Sequence, residues 1–197
     1  MRRALAPAGA ITLALALALA LTACDVSDIP RDPQRVTMAV GRDITSLDPA
    51  ATFIVANQLA MNLAYEKLVV AEVADGRPTG RMLGQLAERW GTSADGLTWT
   101  FFLRRGHRFD DGSEVTAEAV KFSFERTLKL KAPPAQFFFF LRSVDVVAPH
   151  EVRFTLRTPV PFFLQVLAVP TASIVNPKVM AQAQGADLGS RWLSTHT

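Results

Sequence analysis

Apolar and polar residues alternate in the middle of the chain, and this alternation predicts strands. In residues 97–103 every second position is apolar, in the order Leu, Trp, Phe, Leu. That period is typical of a strand with one face against a core. Residues 86–92 can pair with it as a hairpin across the turn sequence SADG. A second hairpin is predicted where VDVV and VRFTLRT flank the turn sequence APHE. Its inward-facing residues are Val152, Phe154 and Leu156.

A longer period, of about four residues, predicts helices elsewhere. Residues 57–68 have an apolar face formed by Leu59, Met61, Leu63, Ala64 and Leu68. After Thr116, a residue type that caps helices, apolar residues recur at four-residue spacing, at Val120, Phe124 and Leu128. Pro161 and Pro177 indicate two further helix starts, because proline is tolerated in the first helical turn.

The remaining segments are predicted to be extended or irregular. RVTMAV at residues 35–40 and LVVAEV at residues 68–73 read as strands, the second closed by an Asp-Gly turn. Residues 131–136 are predicted to form a proline-containing loop. TASIV, at residues 171–175, is predicted to be extended. The four phenylalanines at residues 137–140 predict a helix core or, if exposed, a contact surface. This mixed order indicates an α/β fold with mixed α+β sheets.

The amino terminus has the order of a secretory signal. Arg2 and Arg3 precede an apolar run at residues 10–21, and small residues lead to Cys24. The run is short for a membrane-spanning helix, which needs about 20 apolar residues. LTAC, residues 21–24, resembles the lipobox of bacterial lipoproteins, which implies lipid attachment at Cys24. An ordinary signal peptide with an incidental cysteine is the alternative. Residues 25–35 predict a tether, because prolines stand there among charged residues.

The cysteine count and the distribution of charge argue against an internal disulfide and against a nucleic-acid partner. Cys24 is the only cysteine in the chain, so an internal disulfide cannot form. The 21 Lys and Arg against 18 Asp and Glu give a formal net charge of +3, and Arg2 and Arg3 belong to the predicted signal. No Lys/Arg block with interleaved aromatic residues is present, so we expect no nucleic-acid partner.

The segment DGLTWTFFLRRGHRFDD is the strongest candidate for acid–base chemistry. His107, Arg108 and Asp110 follow one another closely after the predicted strand. A strand followed by an Asp-Asp-Gly turn explains these residues without catalysis, and no nucleophile with a positioned base is evident. Metal-ligand spacing is also absent from the three histidines, His107, His150 and His196. We therefore predict a structural role for this segment, and no catalytic residue, metal or cofactor.

A series of short motifs, taken in order, resembles a known family. SLDPA at residues 46–50, YEKLV at 65–69 and LAERW at 86–90 are followed by DGLTWTFFLRRGHRFDDG, VTAEAVKFSFER, TPVPFFLQVLA and IVNPK. Single motifs are weak evidence, whereas their order over about residues 36–197 is specific. The chain resembles the family 5 extracellular solute-binding proteins of bacterial ABC importers, the oligopeptide, dipeptide and nickel type.

The resemblance implies a two-lobe, type II periplasmic-binding-protein fold with the ligand between the lobes. Residues 1–24 would be the lipoprotein signal peptide. Residues 36–47 would begin lobe I, residues 48–170 would form an extra subdomain attached to it, and residues 171–197 would return to lobe I. Family members are more than twice as long, so we expect an amino-terminal fragment without lobe II. Such a fragment would bind ligand weakly or not at all.

The resemblance also indicates which residues border the ligand. We expect contacts from Thr52, Phe53, Ile54 and Val55, and a second set from Pro134, Ala135 and Gln136. For the first set, a buried connection into the next helix is the alternative. Proteins of this family hold peptides of varied sequence, which is suited to backbone hydrogen bonds with tolerant side-chain pockets.

The implied partners follow from the same family. They are a peptide or other small solute, the ABC permease and ATPase subunits, and the membrane through the lipid anchor. We expect a monomer, not an enzyme, at the periplasmic face of the inner membrane. No Gly-x-x-x-x-Gly-Lys-Ser/Thr loop is present, so the chain itself is not expected to hydrolyse ATP. Alternatives are binding of nickel, haem or another solute, an envelope lipoprotein in signalling or chaperoning, and an envelope enzyme.

Two positions depart from the family pattern. Gly84 and Gln85 stand where the family usually has proline and a variable residue. Ala119 stands where the family usually has an acidic residue. An acid in the first turn of a helix contributes about 0.3–1 kcal/mol, so its absence predicts a weaker helix start.

Overall fold

The computed structural model describes residues 41–196. The predicted signal peptide and tether, Cys24 and the predicted strand at residues 35–40 lie outside the described residues. Along the chain the regular elements are α1 (Val55–Ala64), β1 (Val69–Ala74), β2 (Arg77–Gly84), β3 (Ala87–Thr92), β4 (Thr98–Leu103), α2 (Ala117–Leu130), β5 (Leu141–Ala148), β6 (Glu151–Leu156), α3 (Phe163–Leu167) and α4 (Ser190–Leu193). Short 3-10 helices cover Pro133–Phe138, Pro170–Ala172 and Pro177–Gln182.

The strands form two antiparallel sheets. β1 and β2 pair with each other, and the other strands form a four-stranded sheet in the order β3-β4-β6-β5. Both predicted hairpins are confirmed, since β3 pairs with β4 and β5 with β6. The predicted alternation is also confirmed, because Phe101, Val152 and Phe154 are fully buried on one face of this sheet.

Strand β2 is the one strand of the described chain that the sequence pattern does not predict. Its sequence, RPTGRMLG, has no apolar alternation, and most of its residues are exposed. The preceding turn explains why it forms. Asp75 and Gly76 both adopt positive φ, 51° and 73°, as a tight two-residue hairpin turn requires. The turn reverses the chain, and backbone pairing with β1 then forms the strand.

Helix α2 begins after Thr116, as predicted, but the threonine side chain makes no capping hydrogen bond. Val120 and Phe124 are buried on the predicted face. Ala119 is also buried, at 2% exposure, so an acidic side chain there would enter the core. Glu118 supplies an acidic group in the first turn instead, which is the position where a carboxylate favours the positive end of the helix.

Aromatic rings fill the space between α2 and the four-stranded sheet. Phe124 meets Phe138 and Phe154 edge-to-face, with ring centroids 5.1 and 5.0 Å apart. Phe154 in turn contacts Phe101 and Phe163, at 5.5 and 5.6 Å. Such pairs contribute about 0.5–1.5 kcal/mol each beyond the area they bury. This cluster fixes the position of the segment that contains Phe138.

The segment between α2 and β5 differs from two expectations. Residues 131–136 are not wholly a loop, because a 3-10 helix runs through Pro133–Phe138. Proline pre-sets φ for the start of a helix, which explains why the helix begins there. The phenylalanine block at residues 137–140 is neither all core nor all surface: Phe138 and Phe140 are buried, while Phe137 and Phe139 are exposed.

Helix α1 differs from its prediction in extent and in orientation. It spans Val55–Ala64 and ends where Tyr65 becomes extended, at φ −121°. The buried residues of α1 are Ala56, Asn57 and Met61. Leu59 and Leu63 were expected in the core, but they are 37% and 84% exposed. Val55, Leu59 and Leu63 recur every four residues and therefore form an apolar stripe on the outer side of α1.

A second, smaller core packs α1 against the carboxyl-terminal part of the described chain. It contains Met61, Tyr65, Val175, Val179 and Leu193. The segment after the 3-10 helix Pro170–Ala172 is extended, as predicted for most of TASIV, and the next helical turn begins at Pro177, as predicted. Helix α3 begins at Phe163 rather than directly at Pro161. The boundaries of lobe and subdomain stay predictions.

A buried ion pair joins distant parts of the described chain. The guanidinium of Arg126 donates to both carboxylate oxygens of Asp48, at 2.8 and 2.7 Å. Its Nε donates to the carbonyl oxygen of Leu188, at 2.8 Å. The side chains of Arg126 and Asp48 are 2% and 0% exposed. Three segments thus meet at one guanidinium.

Candidate functional site

The histidine-containing segment is a turn with paired side chains. His107 Nδ1 lies 3.0 Å from Oε2 of Glu66, and Arg108 donates to the carbonyl oxygen of Gly112 at 2.7 Å. Gly112 has φ 81°, which suits the predicted Asp-Asp-Gly turn. His107 and Arg108 are thus engaged with different partners. The interpretation of this segment as strand and turn is confirmed.

Residues 52–55 form an ordered connection into α1. The hydroxyl of Thr52 accepts hydrogen bonds from the backbone N–H of Ile54 at 3.2 Å and from Nδ2 of Asn57 at 3.0 Å. Asn57 is fully buried, and its Oδ1 accepts the N–H of Thr45 at 2.9 Å. Polar contacts therefore hold the backbone, while the apolar side chains of this segment remain free to face outward.

Those side chains are exposed, rather than buried in the connection. Phe53 is 42%, Ile54 41% and Val55 72% exposed. Gln58 further fixes the segment, because its Nε2 donates to the carbonyl oxygen of Phe53 at 2.9 Å. Three consecutive apolar side chains at the surface of an ordered segment are typical of a contact surface.

The second predicted contact segment lies within the 3-10 helix Pro133–Phe138. Pro134 is buried, Ala135 is half-buried and Gln136 is exposed. Phe138 anchors this helix in the aromatic core. The next residue before it, Phe137, points away from that core and is 39% exposed.

The first predicted segment contacts the residue that follows the second one. The rings of Phe53 and Phe137 meet edge-to-face, with centroids 5.9 Å apart and planes at 85°. We call the surface formed by Phe53, Ile54, Val55 and Phe137 the aromatic rim. Val55 is also the first residue of the outer stripe of α1. Sequence analysis did not include Phe137 among the contacts, because a run of four phenylalanines favours a core.

The two segments that form the aromatic rim contain no charged residue. No Asp, Glu, Lys or Arg occurs between Asp48 and Glu66, nor between Lys131 and Arg142. Charged residues make up 20% of the whole chain, so two uncharged runs meeting at one surface are unusual. This shared feature is the sequence signal that could have identified Phe137.

A cavity of about 460 Å³ lies next to the second core. Its apolar floor includes Leu86, Val115, Ile174 and Leu193, and its polar residues include Glu66, Asp110 and Lys178. Tyr65 also lines it, and among the described residues the buried hydroxyl of Tyr65 has no hydrogen-bond partner. Burial, and then the nearby carboxylate of Asp48, raise the pKa of this phenol. Tyr65 therefore stays protonated and can act as a donor.

The charged groups at this cavity are largely paired. Nζ of Lys178 lies 2.8 Å from Oδ2 of Asp111, and this contact, together with Ser113, holds the pKa of Asp111 well below its usual range. Within residues 41–196, His, Cys, Asp and Glu side chains form no group of three that could hold a metal ion. In the same part of the chain, no helix has the length and apolar content of a membrane span.

Comparison with known proteins agrees with the fold and with the motif series. Residues 81–195 match the family described as bacterial extracellular solute-binding proteins, family 5 Middle. The probable D,D-dipeptide-binding periplasmic protein DdpA of Escherichia coli strain K12 is 36% identical over 169 residues, which cover 86% of this chain and 32% of DdpA. The chain belongs to this family of extracellular solute-binding proteins.

Solved structures give the same result for the fold. The substrate-binding domain of an oligopeptide ABC transporter from Bacillus anthracis superposes with a TM-score of 0.68 at 22% identity, over 75% of this chain and 31% of that one. DppA of Helicobacter pylori, in complex with the peptide STSA, superposes with a TM-score of 0.62 at 25% identity, over 76% of this chain and 32% of that one. The α/β fold is thus part of the type II periplasmic-binding-protein fold, and the chain spans about a third of these relatives.

Proposed function

We propose that this chain is the substrate-binding component of an ABC importer and that it captures peptides. The observation that carries the proposal is the aromatic rim, in which Phe53 of the first predicted ligand-contact segment packs against Phe137, the residue that follows the second one. Family membership supports it, as do a D,D-dipeptide-binding relative and a relative bound to a tetrapeptide. Capture is by binding rather than by catalysis, and the peptide is then passed to a permease driven by ATPase subunits.

The arrangement of the rim suits this role physically. A peptide of variable sequence is held best by fixed backbone groups beside tolerant apolar surface. Thr52, Asn57 and Gln58 hold the backbone of residues 52–55 in place, so little conformational entropy is lost there on binding. The rim is an open surface, however, with Val55 72% exposed. We therefore expect the 197-residue chain by itself to bind peptides weakly.

The proposed location follows from the amino terminus. Lipid attachment at Cys24 would retain the protein at the periplasmic face of the inner membrane, with residues 25–35 as a tether. A single acyl chain gives only marginal membrane binding, and stable anchoring needs more than one. We propose that the protein acts there as a monomer. Mass spectrometry of the amino-terminal peptide tests the anchor, because an unmodified cysteine would contradict it.

Binding can be tested with ligand-observed saturation-transfer NMR, which detects weak complexes. The chain as its gene encodes it is titrated with di- to pentapeptides, and with nickel-histidine and haem as competing ligands in separate series. We expect saturation of peptide protons, with competition between different peptides. Absence of any peptide signal, or competition by haem or nickel-histidine alone, would show that the chain does not capture peptides.

A matched pair of variants locates the binding surface. Val55→Asp adds a charge to the rim at the first residue of α1, where an acidic side chain also suits the helix. Val73→Asp makes the same change at another exposed valine, at 61% exposure in β1. We expect Val55→Asp to reduce the peptide signal and Val73→Asp to leave it unchanged. Equal effects of the two variants would exclude the rim as the contact surface.

A further inference from the structure

The composition of the aromatic rim indicates which part of a ligand it meets. Its four side chains are hydrocarbon only, and the two segments that supply them contain no charged residue. Thr52, Asn57 and Gln58, the polar residues close to the first segment, are engaged in hydrogen bonds with that segment, and Gln136, the exposed neighbour of Phe137, is polar but uncharged. The two rim segments thus offer a ligand apolar contact and no counter-charge of their own.

The arrangement of the two rings adds a geometric preference. Phe53 and Phe137 meet at 85°, so they form an L-shaped corner, and both remain about two-fifths exposed, at 42% and 39%. An additional ring can meet this corner in edge-to-face or offset geometry, the arrangements that aromatic pairs prefer. Ile54 and Val55 follow Phe53 in the chain and are also exposed.

A charged ligand side chain would be disfavoured at the same place. Removing an ammonium or carboxylate group from water is costly unless a partner compensates it. The two segments that form the rim contain no charged residue that could be such a partner. Selectivity here therefore has both an attractive and a repulsive component.

We propose that the aromatic rim selects peptides by an apolar side chain, preferably an aromatic one, and excludes charged side chains. This inference rests on the proposed function, because it assigns the substrate class of the same surface. It identifies Phe53 and Phe137 as the residues that determine specificity.

The test compares four tripeptides that differ only in the central residue: Ala-Phe-Ala, Ala-Leu-Ala, Ala-Glu-Ala and Ala-Lys-Ala. Affinities come from saturation-transfer titrations of the full chain, with the ring or methyl protons monitored separately from the backbone protons. One favourable aromatic contact corresponds to about a two- to tenfold difference in affinity, and the cost of removing a charge from water adds to it. We expect Ala-Phe-Ala to bind about tenfold more tightly than the charged peptides, with the strongest saturation on its ring.

Four variants separate the rim from other exposed aromatic surface. Phe53→Ala and Phe137→Ala are each expected to reduce the preference for Ala-Phe-Ala severalfold while the weaker binding of Ala-Leu-Ala changes less. Phe162→Ala is the matched control, because Phe162 is also an exposed phenylalanine, at 58%, outside the two rim segments. Circular dichroism checks that each variant folds. Phe53→Leu, which keeps apolar bulk without a ring, provides a second measure if either alanine variant fails to fold.

The outcomes separate the two levels of the proposal. If peptides bind without preference for the central residue, or if the preference survives in both rim variants, the selectivity is wrong while peptide capture stands. If a charged peptide binds most tightly, the selectivity is likewise wrong. If no peptide binds, the proposed function fails, and the selectivity fails with it.

Discussion

The buried ion pair between Asp48 and Arg126 is expected to be the most sensitive point for stability. Asp48→Asn is the sharpest perturbation, because an asparagine oxygen can still accept the backbone N–H of Ala50, as Asp48 Oδ1 does at 2.9 Å. The volume of the side chain hardly changes. What is lost is the negative charge opposite a guanidinium that is 2% exposed.

The magnitude follows from burial. Removing one partner of a buried ion pair costs about 3–5 kcal/mol, since the remaining charge stays buried without compensation. A domain is typically stable by about 5–15 kcal/mol in total. Asp48→Asn is therefore expected to remove a large part of the free energy of unfolding. For a chain of this size, the loss corresponds to a decrease in Tm of roughly 6–20 °C.

Urea denaturation followed by circular dichroism measures the effect. Glu125→Gln is the control, because Glu125 pairs with Lys121 and Lys129 on the exposed side of α2, at 3.9 and 3.7 Å. Exposed pairs of this kind contribute about 0.3–0.5 kcal/mol. The double variant Asp48→Leu/Arg126→Met should be more stable than Asp48→Asn, because it leaves no buried charge. A loss for Asp48→Asn as small as that of the control would refute the reasoning.

Three further predictions concern local features. A Cβ on Gly84 would overlap the carbonyl oxygen of Ala87, whereas one on Gly91 would meet open space. Gly84→Ala should therefore lower the free energy of unfolding by about 1–3 kcal/mol, measured by urea denaturation. An equal loss for Gly91→Ala would contradict this prediction. Burial lowers the pKa of Lys67 below 10.5, and its Nζ has the amide oxygen of Asn62 as partner at 2.9 Å, so stability should rise with pH through the folded pKa. Lys67→Met should abolish that rise, and exposed Lys129→Met should not. A hydrogen bond from His150, above all, lowers the pKa of Glu114 below 4.5. The stabilisation that ionised Glu114 provides is therefore complete above pH 4.5 and is lost as pH falls through the folded-state pKa of Glu114. Glu114→Gln should flatten this decrease in Tm at acid pH. An unchanged dependence of Tm on pH would contradict a stabilising role of Glu114.

The sheet could be predicted from the sequence because a strand pattern repeats every two residues. A strand that is half buried shows that period directly, as residues 97–103 do. β2 could not be predicted in this way. It is held by backbone pairing with β1 and by the turn at Asp75 and Gly76, and neither requires apolar side chains. The residues just before β2 therefore carry a turn signal, but β2 itself carries no periodic one.

The orientation of α1 could not be predicted because both of its sides are apolar. Met61 lies in the core, while Leu59 and Leu63 lie on the outer stripe. Hydrophobic periodicity indicates a helix in either case, but it does not decide which side is buried when polar residues are few. The buried residue Asn57 resolves the orientation, since its hydrogen bonds to Thr45 and Thr52 depend on tertiary contacts.

The candidate site was predictable only in part. Family resemblance indicated two separate contact segments, and in the structure Phe53 of the first packs against Phe137, the residue after the second. This contact could not be derived from local pattern. In a run of four phenylalanines, periodicity alone does not show which ring leaves the core. That choice depends on the 3-10 geometry of Pro133–Phe138, in which Phe138 is anchored and Phe137 faces the other way.

The Asp48–Arg126 pair also bears on the order in which the chain folds. Its two partners are 78 residues apart in sequence, and that interval encloses α1 and the β1–β2 and β3–β4 hairpins, while the β5–β6 hairpin follows it. The hairpins close short loops, which form quickly, whereas the ion pair closes a long one at a larger entropic cost. The sheet and its aromatic core should therefore assemble first, and the ion pair should join Asp48 and Leu188 to them late. In the folded protein these outer segments should then exchange amide hydrogens through local opening, while the amides of β4 and β6 exchange only on global unfolding.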